Sequence, residues 1–459
     1  DAVSIFNYLF LGGAVIPGPF PDCGRDITPD PITCRDFSEC NSGPPPEGRP
    51  NVLFIIVDDL GVDSMDGYTE NAPSMPNIKA LCESGVRFTN AWSAPVCSPT
   101  RATILTGRYG FRTGVGAPGD AIALDETTLP QTLAASAPLP YAQACIGKWH
   151  LSNDTNGGED NPNLMGFPYY SGSLGGGVRS YTRWQETVNG STAVNRDYIT
   201  SVLVDDALDW IGDQDEPWFL WLAFNAPHSP FHLPPAELHS RDDLSGTEED
   251  IEANPRPYYE AMLESLDHEI GRLLSSLPEN VRRETDIIFL GDNGTPGQVA
   301  PQERGRAKDS LYQGGIHVPL IIAGPSVDSG GRTVQAVVNS SDLFATILDL
   351  AGVDIASTLD GTFAEDSISF ANLLRDPNAT PARPWAYAEL FGEEAMANRR
   401  GRTVTDGRFK LIDPDVGGNL LFDLVDDPQE SRNLLDSPLS DDASAALSEL
   451  ETALDEVGS

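Results

Sequence analysis

The stretch NVLFIIVDDLG, residues 51–61, carries six apolar residues from Val52 to Val57 and then breaks at Asp58 and Asp59. A short, continuous apolar run rich in β-branched residues reads as a strand buried on both faces, as in a parallel sheet. The same grammar recurs. PYAQACIGKWH (140–150) runs into Lys148 and His150, WFLWLAFNAPH (218–228) into His228, and DIIFLGDNG (286–294) into Asp292 and Asn293. Between the runs lie helix-like stretches such as MPNIKALCESG (75–85) and YYEAMLESLDHEIGRLLSSL (258–277), the second with apolar residues at helical spacing. Alternating strand and helix predicts a doubly wound α/β sheet. Ligands of such sheets bind beyond the carboxyl ends of the strands. Four strands thus deliver Asp58, Asp59, Lys148, His150, His228, Asp292 and Asn293 to one edge. A single such residue reads as a loop charge; the repeated pattern reads as an active site.

Outward from this core, NSGPPPEGRP (41–50) reads as the linker that ends an N-terminal extension, residues 1–50, whose Pro/Gly/Asp-rich part carries Cys23, Cys34 and Cys40. A disulfide staple is expected there, and the apolar stretch 5–20 is expected to pack as an extended segment, being too short and too broken to span a bilayer. The chain begins at Asp1 rather than Met, so a removed leader is expected, and no membrane anchor. A catalytic domain is expected over 51–380. Past TPARPW (380–385) the character changes to RTVTDGRFKLI, GNLLFDL and the acidic DDASAALSELETALDEV. That pattern predicts a small α+β subdomain over 381–459, with an antiparallel sheet and a closing helix.

The 69 acidic against 29 basic residues give a net charge of −40. Nucleic acid and anionic membrane would both be repelled, which argues against either as partner. A secreted or periplasmic protein in marine or otherwise saline water fits such a surface, because salt screens self-repulsion; so does a merely soluble acidic one. The remaining cysteines, Cys82, Cys97 and Cys145, show no zinc spacing with the six histidines.

Asp58, Asp59, Asp292 and Asn293 are hard oxygen ligands that suit Ca²⁺, or Mg²⁺, better than zinc or copper. A cation ringed by lysine, arginine and histidine binds a tetrahedral oxyanion and stabilises charge as it transfers. The expected chemistry is transfer or hydrolysis of a phosphate or sulfate ester. VCSPTRATILTG (96–107) adds Cys97 four residues before Arg101. An activated thiolate is one reading, but the thiol phosphatases carry an arginine six positions on, and here that position holds Thr103.

CSPTRATILTG (97–107) resembles the sulfatase signature, Cys-x-Pro-x-Arg followed by an apolar pair and Thr-Gly. Cys-x-Pro-x-Arg alone would arise by chance roughly 0.03 times in a chain of this composition. YAQACIGKWHL approximates the second signature, and MPNIKALCESGVRFTNAW, LTGRYGFRTGV, APHSPFHLP and KDSLYQGGIHVP resemble family segments in the same order. NLLFDLVDDPQESRNLL (419–435) resembles the C-terminal motif, so the likeness spans about residues 50 to 435. It implies the alkaline-phosphatase-like fold of the formylglycine-dependent (type I) sulfatases, a large mostly parallel sheet sandwiched by helices. It also implies the activity: hydrolysis of an aryl sulfate or sulfated carbohydrate to release sulfate.

In that family the cysteine is oxidised to formylglycine by a maturation enzyme, and the aldehyde hydrates to a diol. One hydroxyl attacks sulfur as the ester's alcohol departs; deprotonation of the other regenerates the aldehyde and expels sulfate. Carried over, Asp58, Asp59, Asp292 and Asn293 would bind calcium, with the modified Cys97 completing the site. Arg101 would hold the diol, Lys148 and Lys308 would bind sulfate oxygens, His228 would protonate the leaving group, and His150 would take the proton that frees sulfate. Gln313, His317, Gly291 and Pro140 stand where the family commonly has glutamate, arginine, serine and glycine; His317 would alter nearby charge or substrate approach. His232, His239 and His268 are expected to have no catalytic role. In FPYYSGSLGGGVRSYTRW (167–184), Tyr169, Tyr170, Arg183 and Trp184 could grip a sugar, or the stretch could be a glycine-rich surface loop with packed aromatics. Competing readings are a phosphonate or phosphate ester hydrolase of the same superfamily and an unmatured protein that only binds sulfated glycans.

Overall fold

A computed structural model of the chain describes residues 49–70, 72–359 and 361–458. The expected staple of Cys23, Cys34 and Cys40 and the packed segment 5–20 lie outside them. Among the described residues, fourteen strands form two sheets. The first contains β1 (Asn51–Val57), β2 (Val86–Trp92), β3 (Ala142–Gly147), β4 (Tyr169–Gly172), β5 (Trp184–Val188), β6 (Ser191–Asn195), β7 (Trp218–Phe224), β8 (Thr285–Gly291), β9 (Leu320–Ala323) and β10 (Arg332–Asn339). Its order is β10-β2-β9-β8-β1-β7-β3-β4-β5-β6. The pairs β8–β1, β1–β7, β7–β3, β3–β4 and β10–β2 are parallel, while β9 is antiparallel to both neighbours and β5–β6 is an antiparallel hairpin at the edge.

The continuous apolar run of β1 follows from its central place. Val52, Phe54 and Ile56 face one core, and Leu53, Ile55 and Val57 the other, all fully buried. Each such side chain contributes about 1.5–3 kcal/mol relative to exposure. The first core is closed by helices α2 (Cys97–Thr106) and α5 (Asp342–Leu350), the second by α1 (Pro76–Ser84), α3 (Ile199–Gly212) and α4 (Pro255–Ser276). Among the described residues, no helix is long and apolar enough to cross a membrane.

The register matters most for function. Val57 pairs with both Gly291 and Phe224, and Gly147 with Ala223. The four carboxyl ends therefore finish almost level, about 4.8 Å apart, and the residues that follow emerge side by side.

The second sheet, β11 (Ala386–Leu390), β12 (Gly401–Thr405), β13 (Phe409–Pro414) and β14 (Leu420–Asp423), is an antiparallel meander. Helix α6 (Asp441–Val457) closes it, burying Ala443, Ala446, Leu450, Ala453, Leu454 and Val457 against Val404, Leu411 and Leu421. Ser440 caps this helix by accepting from Ala443 N, and Asp441 and Asp442 sit where the helix dipole favours negative charge. Both sheets lie in the compact unit that begins at Arg49.

Candidate active site

Asp58 and Asp59 leave β1, Asp292 and Asn293 leave β8, and Lys148 and His150 leave β3. Cys97 opens α2, just beyond β2. Pro99 fits that helix's first turn, where its missing N–H is not needed. Gly107 ends the helix at φ 68°, and a Cβ there would meet the Ala364 Cβ at 2.7 Å, which accounts for the closing glycine of the 97–107 motif.

Arg101, fully buried, ties the edge together. Its Nε and Nη2 donate to Asp292 Oδ2 at 3.2 and 2.9 Å, and its Nη1 donates to the Lys148 carbonyl at 2.6 Å. Lys148 Nζ donates to Asp58 Oδ2 at 2.6 Å, again out of solvent. Asp59 lies at the hub: its N–H donates to Asp292 Oδ1 (3.1 Å), its Oδ1 accepts from Asn293 Nδ2 (2.8 Å) and from Lys308 Nζ, and its Oδ2 is 3.9 Å from His228 Nε2. Cys97 Sγ faces His150 Nδ1 at 3.1 Å. The candidate catalytic and metal-binding residues thus converge on one edge. Three carboxylates, Asp58, Asp59 and Asp292, are interleaved with three cations, Arg101, Lys148 and Lys308.

Electrostatics follow from burial and neighbours. Burial alone would raise the Asp59 carboxyl, but Lys308, His228 and the Asn293 amide outweigh it and hold the group at about 2. Burial, then the charges of Lys148 and Arg101, push His150 well below the usual histidine range, so its imidazole is neutral. Asp59 and His150 adopt left-handed backbone, at φ 71° and 63°, a strained conformation tolerated where the surroundings fix it.

Two buried oxygens, Asp58 Oδ1 and Asn293 Oδ1, have no hydrogen-bond partner. Asp58, Cys97 and Asp292, and also Asp58, Asp59 and His228, offer ligand atoms within 4.8 Å of one another. Unsatisfied hard oxygens beside a cluster of carboxylates fit a divalent cation such as calcium.

The sulfatase family model matches residues 50–353. The chain belongs to the sulfatase family. A second model, the N-sulphoglucosamine sulphohydrolase C-terminal region, matches residues 306–457. The sulfatase YdeN of Escherichia coli is 28% identical over 411 residues, 76% of this chain and 71% of that one. Arylsulfatase A of Bos taurus is 27% identical over 455 residues, 88% and 87% of the two chains. The N-acetylgalactosamine-6-sulfatase of Sus scrofa is 27% identical over 354 residues, and the match spans only 64% of its length. A structure solved with k-i-k-neocarrahexaose shares the fold at a TM-score of 0.73 and 23% identity, over 89% of this chain and 92% of that one. As a sulfatase the protein is a hydrolase of sulfate esters, a class whose substrates include sulfated glycans.

Of the two readings of residues 167–184, burial favours packed aromatics over a sugar grip. Tyr170 is fully buried with its hydroxyl donating to the Gly147 carbonyl, and Trp184 is buried and donates to the Asp197 carbonyl. Both are core residues, because the strands that carry them pair inside the main sheet. Tyr169 is partly buried; Arg183 is exposed. His317 donates through Nε2 to the Thr89 carbonyl (2.7 Å), and burial pushes it down to about 4, so it adds no charge. His232 stacks on Tyr181 at 4.2 Å between ring centres, His239 accepts from Arg241 N, and His268 is an exposed position of α4.

The sequence reading missed the role of the glycine run. A Cβ on Gly176 would lie 2.3 Å from His150 Nε2, and one on Gly177 would lie 3.2 Å from His228 Cε1. The loop covers both histidines and needs glycine for that approach. A run of three glycines next to a strand was the available signal.

Proposed function

We propose that this sulfatase hydrolyses an aryl sulfate or a sulfated carbohydrate ester, with Cys97 matured to formylglycine and calcium held by Asp58, Asp59, Asp292 and Asn293. The observation that carries the reading is the 3.1 Å approach of Cys97 Sγ to His150 Nδ1 beside the unsatisfied Asp58 Oδ1 and Asn293 Oδ1. The hydrated aldehyde supplies a nucleophilic hydroxyl and a second hydroxyl through which sulfate can leave, and the cation offsets the charge of the sulfate oxygens.

The chain's own groups do the rest. Arg101, locked onto Asp292, orients the residue at position 97. Lys148 and Lys308 bring two positive charges to the sulfate oxygens. His228, fixed through Nδ1 at 2.8 Å to the Ser229 carbonyl, presents Nε2 to the departing oxygen and donates the proton it needs. His150, neutral because it is buried between cations, accepts the proton released at position 97. Maturation requires a formylglycine-generating enzyme as partner. The acidic surface fits a secreted or periplasmic location in saline water, and activity that holds as NaCl is raised toward about 0.5 M would support this.

The deciding experiment is the peptide mass of Phe88–Arg101, with 4-nitrophenyl sulfate hydrolysis measured before and after chelation. Conversion of Cys97 lowers the peptide mass by about 18 Da. Loss of hydrolysis on chelation, restored by calcium, is expected. An intact thiol with no sulfate release overturns the reading.

A further inference from the structure

Basic side chains are scarce in this chain, and the half-buried ones are held by ion pairs or hydrogen bonds. Arg241 is held by Glu260 and Glu264, Arg272 by Asp205 and Glu269, and Arg402 by Asp413. Arg179, Arg183 and Arg196 share an exposed setting with Arg49, Lys79, Arg282, Arg283 and Arg432, and what sets them apart is their place in the fold. All three are exposed, and among the described residues their guanidinium groups join no ion pair or hydrogen bond.

The topology brings these three to the catalytic edge. β4 runs parallel to β3, so Gly172 ends on the side where Lys148 emerges. β5 runs back along β4, with Gly172 opposite Thr187, so its first residue, Trp184, lies at that edge. β6 returns with Asn195 opposite Trp184. Arg183 and Arg196 each lie one residue beyond that last pair, at the open end of the hairpin. Like charges so placed repel unless an anion lies between them. β5 is two strands from β3, about 10 Å across the sheet.

Arg179 sits on the arc that joins the glycine loop to this hairpin. Gly177 on one side approaches His228, and Tyr181 on the other donates its hydroxyl to the carbonyls of Asn225 (2.8 Å) and His228 (2.6 Å). The segment between the active site and the arginine pair is thus anchored at both ends.

We propose that Arg179, Arg183 and Arg196 form an anion subsite beside the active site that takes a second sulfate group of a multiply sulfated saccharide. The identity of the substrate class rests on the proposed function. Planar guanidinium groups match the oxygens of a sulfate in paired hydrogen bonds. On a surface with net charge −40, such a cluster gives a polyanionic chain a place to approach.

The test is equilibrium binding of low-mass dextran sulfate, with uncharged dextran as control, to the wild-type protein and to the triple variants R179A/R183A/R196A and R179K/R183K/R196K. The alanine variant is expected to bind at least about tenfold more weakly, with a flatter salt dependence. The lysine variant, which keeps the charge, is expected to lose less. Equal binding by wild type and the alanine variant overturns the subsite. The two readings separate cleanly. If binding falls but matured wild-type protein hydrolyses no sulfate ester, the subsite stands and the catalytic reading fails. If 4-nitrophenyl sulfate is hydrolysed and binding ignores the substitutions, the reverse holds.

Discussion

Arg399 grips Asp309 twice, through a 2.8 Å ion pair to Oδ2 and a 3.0 Å hydrogen bond to the Asp309 carbonyl. Asp309 follows Lys308 and sits at φ 68°, and its N–H donates to the Pro95 carbonyl, two residues before Cys97. A residue from beyond β11 thus fixes the backbone that carries Lys308. Arg399→Ala should lower kcat/KM for 4-nitrophenyl sulfate by about tenfold, since small misplacements of a charged group weigh heavily on a reaction. The half-buried pair itself is worth only about 1 kcal/mol, so a large loss of Tm with unchanged kinetics of the folded enzyme would contradict the assignment.

Lys410 and Glu430 form a buried pair, Nζ to Oε1 2.6 Å, and Glu430 Oε2 also accepts from Gln313 N on the loop after Lys308. Burial depresses the Lys410 ammonium and Glu430 opposes the shift. Glu430→Gln should cost about 3–5 kcal/mol, because it strands a buried charge. The double variant K410M/E430Q should recover most of that loss, which urea titration of the single and double variants will show. Failure of the double variant to recover would mean the packing, rather than the stranded charge, dominates.

Gly176→Ala places a methyl group where His150 Nε2 now lies. Either the imidazole leaves its present place against Cys97 or the loop shifts. We expect kcat for 4-nitrophenyl sulfate to fall about a hundredfold while Tm shifts little, as the collision is with a side-chain tip near the surface. Wild-type kcat would show that the loop gives way instead of the histidine.

Asp286, at the start of β8, is raised to about 6 by burial, against the hydrogen bonds from Ser326 and the charge of Arg375. Its Oδ2 has no partner. Since the folded state holds this proton more tightly than the unfolded chain, stability is full at low pH and falls as pH rises from about 4 through about 6. Asp286→Asn cannot ionise and keeps an acceptor for Ser326 N. Its stability relative to wild type should therefore rise across that window, by on the order of 3 kcal/mol between pH 4 and pH 8. Urea midpoints for both proteins at the two pH values measure this; a pH-independent difference would rule the ionisation out.

Much of the site was readable because its chemistry is written in short, local patterns. The break from Val57 to Asp58, and from Gly291 to Asp292, marks where a buried strand meets solvent, and only a parallel register can then align those breaks. Other features were illegible for a physical reason. Tyr170 and Trp184 look like sugar platforms in a glycine-rich stretch, yet β4 and β5 join the main sheet and bury them. Whether an aromatic is inside or outside there depends on which strand lies beside it, which local sequence does not encode.

Taken alone, the sequence determined the alternation of strand and helix, the carboxylates, lysines and histidines at the strand ends, and the Cys97–Arg101 motif, because each is a matter of residue type and spacing. Only the tertiary structure decided the contacts across long separations: Arg101 on Asp292, Arg399 on Asp309, and the glycine loop over His150 and His228. These depend on the order and register of strands distant in the chain, and register is set by how whole faces pack, not by any one segment.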